Sequence, residues 1–488
     1  LSVHHSHWWY NLVWLPSWVG NGMSSSYRRT LLGSGSNIKG WILEYNPSFA
    51  NLNNTTQIKS GDGTDDGNLF FGISSGTTAE GAAIVKINKD GDVLLEKKLG
   101  ATAGNFQILV GITMDVDSSD NVFIASRVPR PSNGSKYNLN ISKLNSSLVL
   151  QQINNFNTVS GSIDQATPMA VVGTDCYVGV NCSDLTPSQR AVGVKINTSN
   201  LSATSVFRSF NGAGEGPQCV HIDSNGQAYI GGEFRGSISG FAFSPITTTI
   251  STNFTRTTNQ INSTTVQGGN CRDITTDSSN NIYVCGYQSS TPTSAGKNTF
   301  MKFNSTGTLQ WSRTFSCPSS PNFFNGDGAV NLVSLQIIDA GLVSIFYGQS
   351  NSKSDIYVNL HNPSTGAIIS SYKVTNTTSS WNRSDSRFQP HVFATEEFVY
   401  IQTAAGVTNN WKTYVLKLPI ENAATVFGSY VIGGQTIVIS NGGGSTTALT
   451  HTFDAQGAGT GATQSFPDQA QTFFATTALS NNSQLLEL

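Results

Sequence analysis

The chain of 488 residues carries 27 Lys and Arg against 29 Asp and Glu, and charged residues are only 11% of it. Ordinary soluble domains hold about 25%; the deficit is filled by Ser, Thr, Asn and Gly, so the surface is wetted by hydroxyls and amides, which salt does not screen. A net charge of -2 excludes a basic footprint for nucleic acid, and no apolar run of about 18 residues offers a transmembrane helix.

The chain opens LSVHHSHWWYNLVWLPSW, without the Lys/Arg start and small-residue cleavage site of a signal peptide. His4, His5 and His7 are too closely spaced for metal ligands and have no carboxylate or cysteine nearby, so they read as a polar arm. Trp8, Trp9, Trp14 and Trp18 form a cluster. Exposed, it is a docking surface for a neighbouring subunit; buried, it is part of a sheet core. NLVWLPSWVGNGMSSSYRRTLL offers two apolar strands about Gly20-Asn21-Gly22. Residues 1–40 are therefore a Trp-rich arm or the first half of a repeat unit.

Next comes GDGTDDGN, Gly61–Asn68, in which Asp62, Thr64 and Asp66 alternate as in part of a calcium loop. The later bidentate Glu is missing, because Ile73 stands there. A turn is the better reading.

From here the chain repeats. The best-preserved unit is Cys271–Phe315. Asp273-Ile274-Thr275 leads into Asp277-Ser278-Ser279-Asn280-Asn281, and Ile282-Tyr283-Val284 leaves it. Phe300-Met301-Lys302-Phe303 leads into Asn304-Ser305-Thr306-Gly307, and Leu309, Trp311 and Arg313 leave it. Apolar strands about compact Asp/Asn/Ser/Gly turns are hairpins. Counterparts of Asn304 stand at Asn46, Asn88, Asn145, Asn197, Ser244, Asn362 and, more weakly, Pro419. From Asn88 to Asn362 the spacings are 57, 52, 47, 60 and 58. The first hairpin recurs at Asp66-Gly67-Asn68, Ser119-Asp120-Asn121, Gly173-Thr174-Asp175, Ser224-Asn225-Gly226, Asp339-Ala340-Gly341 and Thr395-Glu396-Glu397. The third unit carries an insert, Val128–Lys136, and the fifth, around Ser244, is the most eroded. Trp311 has no counterpart in the other units.

Two hairpins per period make a four-stranded antiparallel sheet. Such a sheet cannot bury both faces alone, but sheets stacked radially bury one another and a closed ring leaves no open end. The fold class is all-β, a β-propeller of four-stranded blades over residues 41–430. Eight second hairpins and seven good first hairpins leave the number open. There are eight blades if the Gly20-Asn21-Gly22 hairpin is real, and seven if Trp41–Ile58 joins the C-terminal strands in one sheet. Residues 431–488 are rich in Gly, Ala and Thr, and read as a small β appendage or attachment segment.

The six cysteines form no CxxC pair. Cys271 and Cys285 flank the Ser278-Ser279 turn and could face each other, as buried thiols of a sheet or as a disulfide. Glu396 and Glu397 are strand neighbours and point to opposite faces, so they are no acid/base pair. No nucleophile elbow, zinc-protease helix, phosphate loop or dinucleotide fingerprint occurs. No cofactor, metal site or catalytic residue is expected.

The unit DITTDSSNNIYVCGY…TFMKFNSTGTLQWSRTF resembles the SBBP-type β-propeller repeat, with its Asp-Ser-Ser-Gly-Asn turn, Tyr-Val-Gly strand, Lys-Leu-Asp/Asn-Gly turn and Trp-rich strand. The resemblance spans Trp41–Ser429 and is strongest at Asp273–Phe315. Repeats of this kind, charge-poor and rich in Asn, Ser and Thr, are similar to virion structural proteins of marine tailed phages, cyanophage-type proteins included, and to secreted bacterial proteins. The resemblance implies a non-enzymatic, tail-associated virion protein (fibre, tip or receptor-binding), present in several copies. Its partners would be other virion proteins or a host surface glycan or protein, without nucleic acid or membrane insertion. The alternatives are a secreted or cell-surface bacterial adhesin or lectin, and a capsid decoration protein.

Overall fold

The computed structural model describes residues 26–32, 40–46, 52–55, 58–61, 67–75, 82–101, 109–130, 133–158, 162–183, 191–209, 217–235, 239–246, 259–260, 268–289, 297–316, 333–350, 353–379, 381, 391–407, 410–448, 474–477 and 485–487.

Local chemistry makes the hairpins. In each of the best turns an Asx side chain accepts two backbone N–H groups, two and four residues on. Asp277 Oδ1 takes those of Ser279 and Asn281 at 3.0 and 2.9 Å. Asp117, Asp223, Asn88, Asn145 and Asn304 do the same. The fourth residue of each turn is left-handed: Gly91, Asp120, Leu148, Gly226, Asn280 and Gly307 all have φ between 56° and 81°. This is a type I turn closed by a left-handed residue and a bulge, which suits the right-handed twist of the strands.

Among the described residues these hairpins assemble into seven antiparallel sheets. Sheet A holds Leu52–Thr55, Leu69–Ser75, Ala82–Ile87 and Val93–Ala101, with Lys59–Ser60 beside the second of these. Sheet B holds Leu109–Val116, Val122–Arg130, Asn133–Leu144 and Leu150–Thr158. Sheet C holds Ser162–Val172, Asp175–Ser183, Ala191–Asn197 and Ala203–Ser209. Sheet D holds Pro217–Ile222, Ala228–Arg235, Ser239–Ile246 and Asn259–Gln260. Sheet E holds Gly268–Thr276, Ile282–Ser289, Lys297–Phe303 and Leu309–Ser316. Sheet F holds Val333–Ile338, Gly341–Ser350, Lys353–His361 and Ile368–Asn376. Sheet G holds His391–Ala394, Phe398–Val407 and Asn410–Pro419, and then takes Gly40–Asn46 and Ser26–Leu32 from the N-terminal side.

Buried apolar residues fall into clusters, each lying between two consecutive sheets. Phe70, Ile84, Met114 and Ile124 pack A on B. Val343, Val358, Ile401 and Leu416 pack F on G. Trp41, Leu43, Phe71, Val85 and Tyr400 pack G back on A. Both faces of a strand are thus used: Phe70 belongs to one cluster and Phe71 to the next. That is why LFFGI reads as a continuous apolar run rather than an alternation. From sheet A to sheet G the first strands of successive sheets lie against one another, and the first strand of A lies against Phe398–Val407 and Asn410–Pro419 of G. The fold is all-β, a β-propeller, with one short 3-10 helix, Ala423–Val426, among the described residues.

A second recurrent contact locks neighbouring sheets. The Lys two residues before the Asn turn, like Lys417 at the same place before Pro419, stacks on the aromatic ring opposite it across the strand pair. Lys86 lies over Phe70, Lys143 over Phe123, Lys195 over Tyr177, Lys302 over Tyr283 and Lys417 over Phe398 and Tyr400, with Nζ 4.1 to 5.6 Å from the ring centroids. Three of these ammonium groups then reach the carbonyl just after the Asn of the next sheet's turn: Lys86 to Ser146, Lys143 to Thr198, and Lys417 to Lys89. Burying the stem and spending the charge on a ring and a carbonyl is a favourable use of a lysine.

Three expectations change. LEYNPSFANL is not a hairpin, because Gly40–Asn46 lies in sheet G and Leu52–Thr55 in sheet A; the chain crosses between sheets at this point. Nor does Pro419 begin a hairpin, since the helix Ala423–Val426 follows and Gly40–Asn46 supplies the next strand. Trp311 does have a counterpart. Trp41 sits opposite Lys417 as Trp311 sits opposite Lys302. Trp41 Nε1 donates to Lys89 O at 2.9 Å, and Trp311 Nε1 donates to Pro363 O at 3.1 Å. Each ring packs on a left-handed turn glycine, Gly91 or Gly366, where a Cβ would approach to 2.8 Å. The equivalence is invisible in sequence because the N-terminal strand completes the last sheet.

The segment read as an appendage contributes strands to the propeller's own sheets. Gly428–Ile432 and Gln435–Asn441 extend sheet F, and Ser445–Ala448 pairs with Leu309–Ser316 of sheet E. Phe474–Thr477 pairs with Leu150–Thr158 of sheet B, and Leu485–Glu487 with Val93–Ala101 of sheet A.

Candidate functional site: the two faces of the ring

Antiparallel alternation sorts the connections onto two faces. Links from first to second and from third to fourth strand share one face, and in sheets B, C, E and F all of them are tight turns. The strand ends that launch the second-to-third links and the sheet-to-sheet crossings share the other. Most residues of those links lie outside the described ones. The insert Val128–Lys136 belongs to this second face: it lengthens Val122–Arg130 and Asn133–Leu144, which pair from Leu144–Val122 out to Asn133–Arg130.

The expected docking residues Trp8, Trp9, Trp14 and Trp18 lie outside the described residues, as do His4, His5, His7, Asp62, Thr64 and Asp66. Glu396 holds a neighbouring sheet: its Oε1 accepts the Asp339 N–H at 3.1 Å. Cys271 and Cys285 do not face each other: the regular register of the hairpin sets Cys285 opposite Asp273, and Cys271, beyond a register shift at Arg272, stands opposite Gly286. Cys271 packs with the D–E cluster and Cys285 with the E–F cluster.

On the tight-turn face a cleft of about 460 Å³ opens between sheets D and E. Asp223, Asn225, Gly226, Gln227 and Tyr229 line one side, and Ser279, Asn280 and Ser305 the other. Ser224 Oγ donates to Asn280 Oδ1 at 3.0 Å and fixes the two walls. The carboxylate in the cleft is committed. Asp223 Oδ1 accepts the N–H groups of Asn225 and Gln227 at 2.9 and 2.8 Å, and Oδ2 accepts the Tyr229 hydroxyl at 3.1 Å. Burial, then the Asp223 charge, raise the Tyr229 pKa, so the phenol stays protonated as the donor. Tyr283 and Asp277 repeat the arrangement at 3.1 Å in sheet E. There the bonds from Asn281, Tyr283 and Ser279 lower the Asp277 pKa against the opposing effect of burial.

Around the axis, polar side chains bridge first strands. Asp273 Oδ2 accepts the Ser334 hydroxyl at 2.7 Å and the Leu335 N–H at 2.9 Å. Gln336 exchanges two bonds of 2.7 Å with the backbone of Ala394. Asp115 accepts the Val171 N–H at 2.7 Å and pairs with Lys59 at 3.4 Å. His221 shares a 2.9 Å bond with Thr276. Burial, then Lys59, lower the His221 pKa to about 4, so its ring is neutral at neutral pH. Burial raises the Asp273 pKa against the bonds it accepts. These groups hold sheets together. The cleft, by contrast, offers amides and hydroxyls able to hydrogen-bond a neutral polar ligand. No group of three or more His, Cys, Asp or Glu side chains arranged for a metal ion occurs among the described residues.

Sequence reading missed the lysine and tryptophan contacts. The signal available was the Lys-x-Asn spacing, which recurs at Lys86, Lys143, Lys195 and Lys302.

No family model and no curated protein sequence matches the chain. Similar solved structures are β-propeller proteins. The polysaccharide lyase Uly1 aligns with a TM-score of 0.45 at 10% identity, over 75% of this chain and 90% of that one. The endosialidase of phage phi92 aligns with a TM-score of 0.40 at 11% identity, over 81% and 71%. The Dos1 propeller aligns with a TM-score of 0.29 at 10% identity, over 76% and 72%.

Proposed function

We propose that this chain is a non-enzymatic structural protein of a tailed-phage virion, tail-associated, with its propeller as a rigid platform for adhesion or assembly. In this reading each of the seven sheets is one blade of an SBBP-type propeller. The observation that carries the platform reading is the division of labour between the faces. Titratable groups on the tight-turn face and around the axis are spent on closing hairpins and tying sheets together, while the long sheet-to-sheet crossings 317–332 and 377–390 leave from the other face. Rigid sheets that present variable loops are a common design for recognition. The charge-poor composition supports an extracellular setting, and the Trp8, Trp9, Trp14, Trp18 segment would be the assembly joint. Several copies per particle would turn weak contacts into firm attachment. Peptide mass spectrometry of purified particles tests the reading: recovery at stoichiometric copy number is expected, and absence from the particles overturns it.

A second reading, a secreted or surface lectin, is favoured by the D–E cleft and its wall of amides and hydroxyls. A glycan array probed with the purified chain separates the two. Hits that Asn225→Ala with Asn280→Ala abolishes would place glycan binding at this cleft.

A further inference from the structure

Cys219 and Cys271 sit on the first strands of sheets D and E. Both are buried free thiols, and their sulfurs lie 3.7 Å apart. Two features of the surrounding backbone create this approach. Gly231, the cross-strand partner of Cys219, faces both sulfurs: a Cβ there would come within 2.6 Å of Cys271 Sγ and 2.7 Å of Cys219 Sγ. Each strand also shifts register beside its cysteine, at Gln218 in one and Arg272 in the other. Arg272 Nη1 donates to Gln218 Oε1 at 2.9 Å, which ties the two irregular residues together next to the thiols. Cys285, the hairpin neighbour of Cys271, packs in the cluster on the other side of sheet E.

We propose that Cys219 and Cys271 are a cross-linking site, joined as a disulfide that staples sheet D to sheet E in an oxidising medium. A disulfide needs its sulfurs at about 2.05 Å, so closure requires a movement of less than about 2 Å. The oxidant is a low-molecular-weight disulfide. One cysteine thiolate attacks it, breaking its S–S bond, releasing one small thiolate and forming a mixed disulfide. The second cysteine thiolate attacks the protein sulfur of that intermediate, forming the Sγ–Sγ bond and releasing the second small thiolate. The two cysteines lose two electrons and two protons, and the oxidant leaves as two thiols. Burial raises the pKa of both thiols, that of Cys219 well above the ordinary thiol value. Attack therefore proceeds while sheets D and E are still undocked or have parted, so the bond forms during folding or slowly after release, rather than as a fast switch.

Trypsin gives a decisive map. Cleavage after Arg208, Arg235, Arg256, Arg272 and Lys297 puts Cys219, Cys271 and Cys285 on three different peptides. The full chain is refolded with excess 2-hydroxyethyl disulfide, blocked with iodoacetamide and digested without reductant. The expected product joins the Cys219 and Cys271 peptides and disappears on reduction. The oxidised wild type and Cys285→Ser should unfold at higher urea than their reduced forms, and Cys219→Ser should show no such shift. Recovery of Cys271 linked to Cys285, or of Cys219 and Cys271 both alkylated, overturns the proposal. The wild-type map decides the matter alone if Cys219→Ser does not fold.

Discussion

His361 predicts acid sensitivity of the interface between sheets E and F. Its ring is wholly buried, with Nε2 2.7 Å from Ser344 Oγ and its centroid 4.7 Å from that of Phe300. Burial lowers its pKa to about 3. An unfolded histidine titrates near 6.5, so protons favour the unfolded chain over the whole window between the two values. The lowered folded pKa means that the stability is present above about pH 6.5 and is lost as pH falls. Between about pH 7.5 and pH 4.5 the linkage comes to about 2.7 kcal/mol, nearly the full 1.36 kcal/mol per pH unit across two units. Other groups titrate in the same range. His221, lowered to about 4 by burial and then Lys59, adds to acid loss, while Asp273 and Asp355, held high by burial, oppose it. A difference between variants removes these shared contributions. Urea unfolding of the wild type and of His361→Gln at both pH values is the assay. Gln keeps a polar partner for Ser344 but cannot take a proton, so its acid loss should be smaller by about 2–3 kcal/mol. Equal acid loss in the two proteins refutes the assignment.

Four further substitutions probe how the sheets are held. Gly366→Ala should lower thermal stability more than Gly226→Ala. Both positions are left-handed, at φ 69° and 78°, but a Cβ at 366 strikes Trp311 while one at 226 meets nothing within 4 Å. The Gly226 change alone should cost about 1 kcal/mol, read from thermal midpoints. Lys417→Met keeps the apolar stem and removes the charge over Phe398, at 4.1 Å, and the bond to Lys89 O; a loss of about 1–2 kcal/mol in urea is expected. Leu148→Gly relieves a left-handed leucine at φ 57° but empties a buried site. The lost packing, about 2–4 kcal/mol, should outweigh about 1 kcal/mol of relief, so the variant unfolds at lower urea.

Sequence and tertiary structure divide the explanation by distance along the chain. The Asx turns were legible because Asp277 or Asn304 bonds backbone within four residues of itself, and the apolar strands beside them because one side chain per face must be buried. The all-β repeat followed from those local facts. The ring's closure was not local: Trp41 stands opposite Lys417, and only the register of the completed sheet makes it the counterpart of Trp311. The same holds for the candidate sites. The walls of the D–E cleft come from three turns, one of sheet D and two of sheet E more than fifty residues further on, each built for its own hairpin, and the cleft exists only once the sheets are stacked. The thiols show the limit most clearly. Spacing about a turn points to Cys285 as the neighbour of Cys271. The register that the turn sets puts Cys285 opposite Asp273 instead, and the shift at Arg272 puts Cys271 opposite Gly286. Packing of sheet D on sheet E then brings Cys219 to within 3.7 Å.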